Sequence, residues 1–159
     1  MNTSTDEHFL REAIRLSRHH MLAGEGGPFG ALVVRGDQII AQGWNRVTST
    51  NDPTAHAEVV AIRDACAKLN TFRLDGCVLY ASCEPCPMCL AATYWSRVDR
   101  LIFAASRSDA AAAGFDDEWL YQELPRLHTE RKMPTAQAMQ AEAQAVFQEW
   151  LAKADRIAY

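Results

Sequence analysis

Apolar positions recur at helical spacing near the N-terminus. Leu10, Ala13, Ile14, Ser17, Met21 and Leu22 fall near one stripe, and Gly24, Gly26 and Gly27 end it. The pattern predicts an opening amphipathic helix. GALVV (30–34) and QIIAQGW (38–44) then read as two strands joined by a tight turn at RGD (35–37). RVTSTNDPT (46–54) reads as a polar loop. HAEVVAIRDACAKLN (56–70) has Val59, Ile62, Ala65, Cys66 and Leu69 on one helical face.

CVLYAS (77–82) and RLIFAAS (100–106) are short and largely apolar, so both are predicted as buried strands. Between them CPMCLAATYWS (86–96) predicts a helix. Short helices are expected over 107–113 and 118–124, with GFDD (114–117) as the loop between them. RKMPTAQAM (131–139) predicts a weak last strand and EAQAVFQEWLAKA (142–154) a final amphipathic helix. A hairpin followed by β–α–β units predicts an α/β fold, a three-layer α-β-α sandwich with a mixed central sheet. The chain shows no repeat or linker, so residues 1–159 are expected to form a single domain.

Composition narrows the function. The 48% hydrophobic share and 23% charged share are those of a soluble globular protein. No apolar run approaches the ~18 residues of a membrane span, and MNTSTDEHFLREAIRL lacks the sections of a secretory signal. A cytoplasmic protein with reduced thiols is expected. Net charge is −4 and the longest basic pieces are Arg18-His19-His20 and Arg131-Lys132, which argues against nucleic acid as a partner. His8, His19, His20 and His128 are expected on the surface, and Trp119 and Trp150 in packed positions.

The chemistry gathers in two segments. Three of the five cysteines, Cys83, Cys86 and Cys89, lie within SCEPCPMCL, and His56 and Glu58 lie in TAHAE. A catalytic zinc takes three nitrogen or sulfur ligands and keeps a fourth position for water. His56 with two cysteines supplies such a set. Cys86 and Cys89, at a predicted helix start, form the favoured pair, because free backbone N–H groups and the positive helix end favour thiolates. Cys83 with Cys86 is the alternative pair, and Cys83 as a fourth ligand would make the zinc structural.

Glu58 stands two residues after His56, about 200° away on a regular helix. The two side chains converge only if the helix begins at His56, which is therefore predicted. Glu58 then serves as a proton shuttle beside the metal rather than as a ligand. The pairing of H-x-E with P-C-x-x-C is the signature of zinc nucleobase deaminases.

On these residues the sequence resembles the cytidine-deaminase-like superfamily, from helix 8–22 to helix 142–154. Within it the chain is most similar to the small bacterial guanine deaminases. The stretches that carry the likeness are GGPFGALVV, GWNRVTSTNDPTAHAEVVAIRDAC, LYASCEPCPMCLAATYW, AAAAGFDDEWLY and the terminal AY. The resemblance implies zinc on His56, Cys86 and Cys89, with Glu58 as the proton shuttle. It implies that Asn45 hydrogen-bonds the purine, that Phe29 and Trp95 help enclose the ring, and that Tyr159 closes the pocket. Asp117 would meet the leaving amine as a second proton relay. The implied reaction is hydrolytic deamination of guanine to xanthine. The implied assembly is a homodimer that exchanges its C-terminal segment, from about residue 137 to 159.

The rivals share the zinc motif. A tRNA adenosine deaminase usually carries a D-x-K-x-G-A-like stretch where this chain has RSDAAAAGFDD. Deamination of cytosine, a pterin or a triazine is the other alternative. A zinc-stabilised interaction module would not depend on the Glu58 carboxylate.

Overall fold

The computed structural model describes residues 3–158. Tyr159, expected at the pocket, lies outside them. The described chain divides into two compact units, one running to Asp117 and one from Glu118 onward.

In the first unit helix α1 (Thr3–Leu22) leads to the hairpin β1 (Gly30–Arg35) and β2 (Gln38–Trp44). A single-turn helix α2 (Val47–Thr50) interrupts the expected polar loop. Helix α3 (Ala57–Leu69), strand β3 (Cys77–Cys83), helix α4 (Pro87–Trp95), strand β4 (Arg100–Ala105) and helix α5 (Arg107–Ala112) follow. Among the described residues the sheet order is β2-β1-β3-β4. β1 is antiparallel to both β2 and β3, and β3 is parallel to β4, so the sheet is mixed as predicted.

Side-chain alternation along β1 builds the two outer layers. Leu32 and Val34 join Tyr80 against Phe9, Ala13 and Leu16 of α1. Ala31 and Val33 join Leu79 against Ala57, Ala61, Ile62 and Ala65 of α3 on the other face. The buried stripe of α1 is therefore Phe9–Ala13–Leu16, rotated from the expected one. Ile14 and Leu22 are exposed, because Phe9 and Leu16 sit at i and i+7 and carry the larger side chains to the sheet.

Three further expectations are corrected. β4 is an edge strand with exposed positions rather than a buried one, and Phe103 is 42% exposed. No strand forms over 131–139, so among the described residues β4 has a neighbour on one side only. His20, expected on the surface, stacks flat on Trp44 with ring centroids 3.7 Å apart. No helix among the described residues is long and apolar enough to cross a membrane.

The second unit holds helix α6 (Glu118–Glu123), a 3-10 turn at His128–Glu130 and helix α7 (Gln140–Ala152). None of its described residues is buried. Trp119 and Trp150, expected to pack, are 56% and 40% exposed. A segment of this length has too little interior to cover them by itself.

One tie joins α1 to the sheet. The Tyr80 hydroxyl donates to Asp6 Oδ1 at 2.7 Å, and the Arg100 guanidinium donates to Asp6 Oδ2 at 3.0 Å. The Tyr80 and Arg100 hydrogen bonds hold the Asp6 carboxyl below its ordinary pKa. A depressed folded pKa gives stability that is present above the unfolded value, about 3.9, and is lost as pH falls through the folded value. Tyr80→Phe is thus expected to lower the thermal unfolding midpoint at neutral pH. That deficit should shrink in acid, as scanning calorimetry across pH would show.

Candidate metal centre and cleft

Two helix starts converge beside the end of β3. His56 is the N-cap of α3 with extended backbone (φ −70°, ψ 154°), so the helix begins where the sequence requires. Its ring and the Glu58 carboxylate can therefore face the same place. Cys86 is the N-cap of α4, also extended (φ −63°, ψ 167°), and Pro87 follows at the first helical position, where its missing N–H costs nothing. Cys89 sits in the first turn of that helix and is fully buried.

His56 Nδ1 lies 3.5 Å from the sulfurs of both Cys86 and Cys89. All three donor atoms lie within 4.8 Å of one another. A tetrahedral zinc with Zn–S of about 2.3 Å and Zn–N of about 2.0 Å has an N···S edge of about 3.5 Å. The donor set and its spacing fit zinc. Cys83 stays outside the group. Its thiol donates to the Ser106 carbonyl at 3.6 Å, and burial pushes its pKa up to about 11, so it holds its proton.

Electrostatics favours a thiolate at Cys86, the start of α4. The hydrogen bond from Cys89 lowers the Cys86 thiol to about 4, with His56 adding to the effect. The same bond, together with burial, pushes Cys89 up. The Cys86 bond raises His56. Glu58 is only 7% exposed, and burial raises its pKa. A carboxylate moved toward neutrality both accepts and releases a proton readily.

His56, Glu58 and Cys86 line a cleft of about 170 Å³ with Phe29, Asn45, Cys83, Glu84, Phe115 and Asp117. Phe29 meets Phe115 edge to face, with centroids 4.9 Å apart. Burial raises the Asp117 pKa, and the Cys86 charge adds to it. Asn45 is 8% exposed, and its Oδ1 accepts the N–H groups of Gly27 and Val47, both at 3.2 Å. Two donating N–H groups identify that atom as the oxygen. The amide NH₂ is then what Asn45 offers the cleft. Behind it Trp44 is sandwiched between His20 and the Arg46 guanidinium, which stands 3.9 Å from the ring centroid.

Six of the expected residues of this unit meet in the cleft or beside it: His56, Cys86 and Cys89, with Glu58, Asn45 and Asp117. Phe29 joins them. Trp95 does not line the cleft. It lies six residues beyond Cys89 on α4, a rise of about 9 Å, and is 62% exposed. Sequence reasoning missed Phe115, Arg107 and Ala110 as cleft residues. The aromatic of GFDD, following a glycine, was the available signal for Phe115.

Residues 3–105 match the family described as cytidine and deoxycytidylate deaminase zinc-binding region. The chain belongs to this zinc deaminase family. Within it, the chain is 51% identical to the guanine deaminase of Bacillus subtilis over 91% of its length and 92% of that protein. The crystal structure of the Bacillus subtilis guanine deaminase superposes with a TM-score of 0.94 at 50% identity, covering 96% of this chain and 98% of that one. The tRNA-specific adenosine deaminase of Aquifex aeolicus is 46% identical, over 62% of this chain and 65% of that protein. The protein is a zinc-dependent aminohydrolase with the cytidine-deaminase-like α/β fold.

Proposed function

We propose that the substrate is free guanine, hydrolysed to xanthine and ammonia. The observation that carries this reading is the reach of the likeness. It spans 91% of the chain, and so reaches into the C-terminal unit, in the guanine deaminase, against 62–74% in the tRNA adenosine deaminases. The cleft supports it. Drug-sized ligands occupy roughly 300–1,000 Å³, so a cleft of about 170 Å³ suits a lone heterocycle. The Asn45 NH₂ requires an acceptor on the ring. Guanine offers N7 and O6, whereas adenine sets a donor beside N7.

His56, Cys86 and Cys89 would hold the zinc, which when bound would supply a water acidic enough to react near neutral pH. Glu58 takes a proton from the attacking water and delivers it to a ring nitrogen beside C2. The proton remaining on the new C2 hydroxyl is then taken by Glu58 as a proton passes through Asp117 to the exocyclic amine, so the C2–N bond breaks, ammonia departs and the C2 carbonyl of xanthine forms. Asn45 holds the opposite edge, and Phe29 with Phe115 excludes water from the ring face. Ultraviolet-monitored turnover should show guanine converted to xanthine, with adenine, cytosine and an anticodon stem–loop RNA unchanged. Release of ammonia from the RNA and not from guanine would replace this reading with the tRNA one.

We further propose a homodimer in which the C-terminal segment, from about residue 137, docks on a second copy. On α7 the side chains of Val146, Phe147 and Leu151 are each more than half exposed. Apolar stripes of this kind are covered in stable proteins. Light scattering should give twice the 17.7 kDa chain mass, and Phe147→Glu should lower it. A monomeric wild type would end the idea.

A further inference from the structure

We propose that Glu84 is a positioning residue: its carboxylate pins the start of α5 to the cysteine loop and thereby sets where Asp117 enters the cleft. The inference rests on the reading that Asp117 serves the leaving amine.

Three bonds stitch the end of β3 and the residue after it to the end of β4 and the residues after it. The Glu84 N–H donates to the Ala105 carbonyl at 2.8 Å. The Cys83 thiol donates to the Ser106 carbonyl at 3.6 Å, and the Arg107 N–H donates to Glu84 Oε2 at 3.0 Å. The third is the one made by a replaceable carboxylate. Ser106 and Asp109 form a reciprocal capping box, so the Ser106 and Asp109 N–H groups are satisfied within the helix start. The Arg107 N–H is the first helical donor, and the helix itself supplies no acceptor for it. Glu84 fills that need from across the cleft mouth, and both residues line the cleft.

The far end of α5 delivers the other chemistry. The Phe115 N–H donates back to the Ala110 carbonyl at 3.0 Å, and Gly114 turns the chain with φ +93°. Phe115 then reaches Phe29, and Asp117 reaches the cleft. A helix spanning Arg107–Ala112 is about 9 Å long. Tilting it at Glu84 therefore moves Asp117 while leaving His56, Cys86 and Cys89 on their own helices.

The test uses the full-length, zinc-loaded protein with Glu84→Ala and Glu84→Gln, each alone and combined with Asp117→Asn. Zinc content, kcat and KM for guanine, and amide hydrogen exchange over 105–112 are measured. Glu84→Ala should keep its zinc and lose kcat by on the order of tenfold to a hundredfold. Glu84→Gln, whose side-chain oxygen still accepts the Arg107 N–H, should recover most of that loss. In the Asp117→Asn background Glu84→Ala should cost nothing further, since a residue acting through Asp117 has no other route. Exchange at the start of α5 should quicken in the alanine variant alone. An undiminished loss in the Asp117→Asn background, or loss of zinc from Glu84→Ala, overturns the proposal. A wild type inert toward guanine sinks the substrate reading instead. Exchange then decides the positioning role: faster exchange in Glu84→Ala upholds it, and unchanged exchange overturns it.

Discussion

Glu58→Gln is expected to retain zinc and to lose turnover by on the order of a thousandfold. The substitution keeps the shape of the side chain and removes its ability to accept a proton. Glu58 lies in the first turn of α3, two residues after the metal-facing His56, and is nearly buried at the floor of the cleft. It stands outside the three-residue group whose donor atoms lie within 4.8 Å of one another. The division of labour follows from charge. Two thiolates largely cancel a divalent ion, which leaves the metal a weaker acid than one held by three histidines and increases the work of an adjacent base. Zinc content by mass spectrometry and turnover must be measured on the same preparation. A parallel loss of both would make Glu58 a ligand or a structural support, and unimpaired turnover would remove it from the reaction.

The metal chemistry was legible because it is written in short spacing. His56-x-Glu58 needs a helix start to converge, and Cys86-x-x-Cys89 makes its own helix start with Pro87, so local rules alone fix both. The strand hairpin was legible for the same reason, since Gly36 at φ +59° sits in a turn flanked by two short apolar runs, Ala31–Val34 and Ile39–Ala41. What failed depended on partners far along the chain. The stripe of α1 could be read two ways around Ala13 and Ser17, and only Tyr80, Leu32 and Val34 select Phe9 and Leu16. β4 reads as apolar through Leu101, Ile102 and Phe103. Among the described residues it stands at the edge of the sheet, with β3 as its one neighbour. Trp95, six residues beyond Cys89 on α4, is exposed and not among the residues lining the cleft. Phe115 reaches the cleft through the fold of the α5 segment, and the glycine before it is the one local sign of that turn.

Gly43→Ala should damage stability and metal site together, although Gly43 touches neither zinc ligand nor substrate. A Cβ at Gly43 would stand 2.1 Å from the Ala57 carbonyl oxygen and 2.6 Å from the Ala61 N. Both are backbone atoms of α3, so no side-chain rotation relieves the overlap. Either β2 or the helix has to move. β2 is held by its pairing with β1, where Gly43 faces Ala31. The helix is therefore the element that yields. Its first residue, Ala57, lies between His56 and Glu58, so the shift reaches the metal ligand and the proton shuttle directly. Overpacking of this severity should cost about 3 kcal/mol or more, a large part of the roughly 5–15 kcal/mol that holds a domain together. Gly36→Ala is the control. It places a Cβ where nothing lies within 4 Å, at positive φ, and should cost only about 1–2 kcal/mol of backbone strain with zinc retained. Chemical denaturation and zinc titration of the two variants separate the effects. If Gly43→Ala unfolds with the wild type and binds zinc as tightly, the close seating of α3 on β2 is not what places His56 and Glu58.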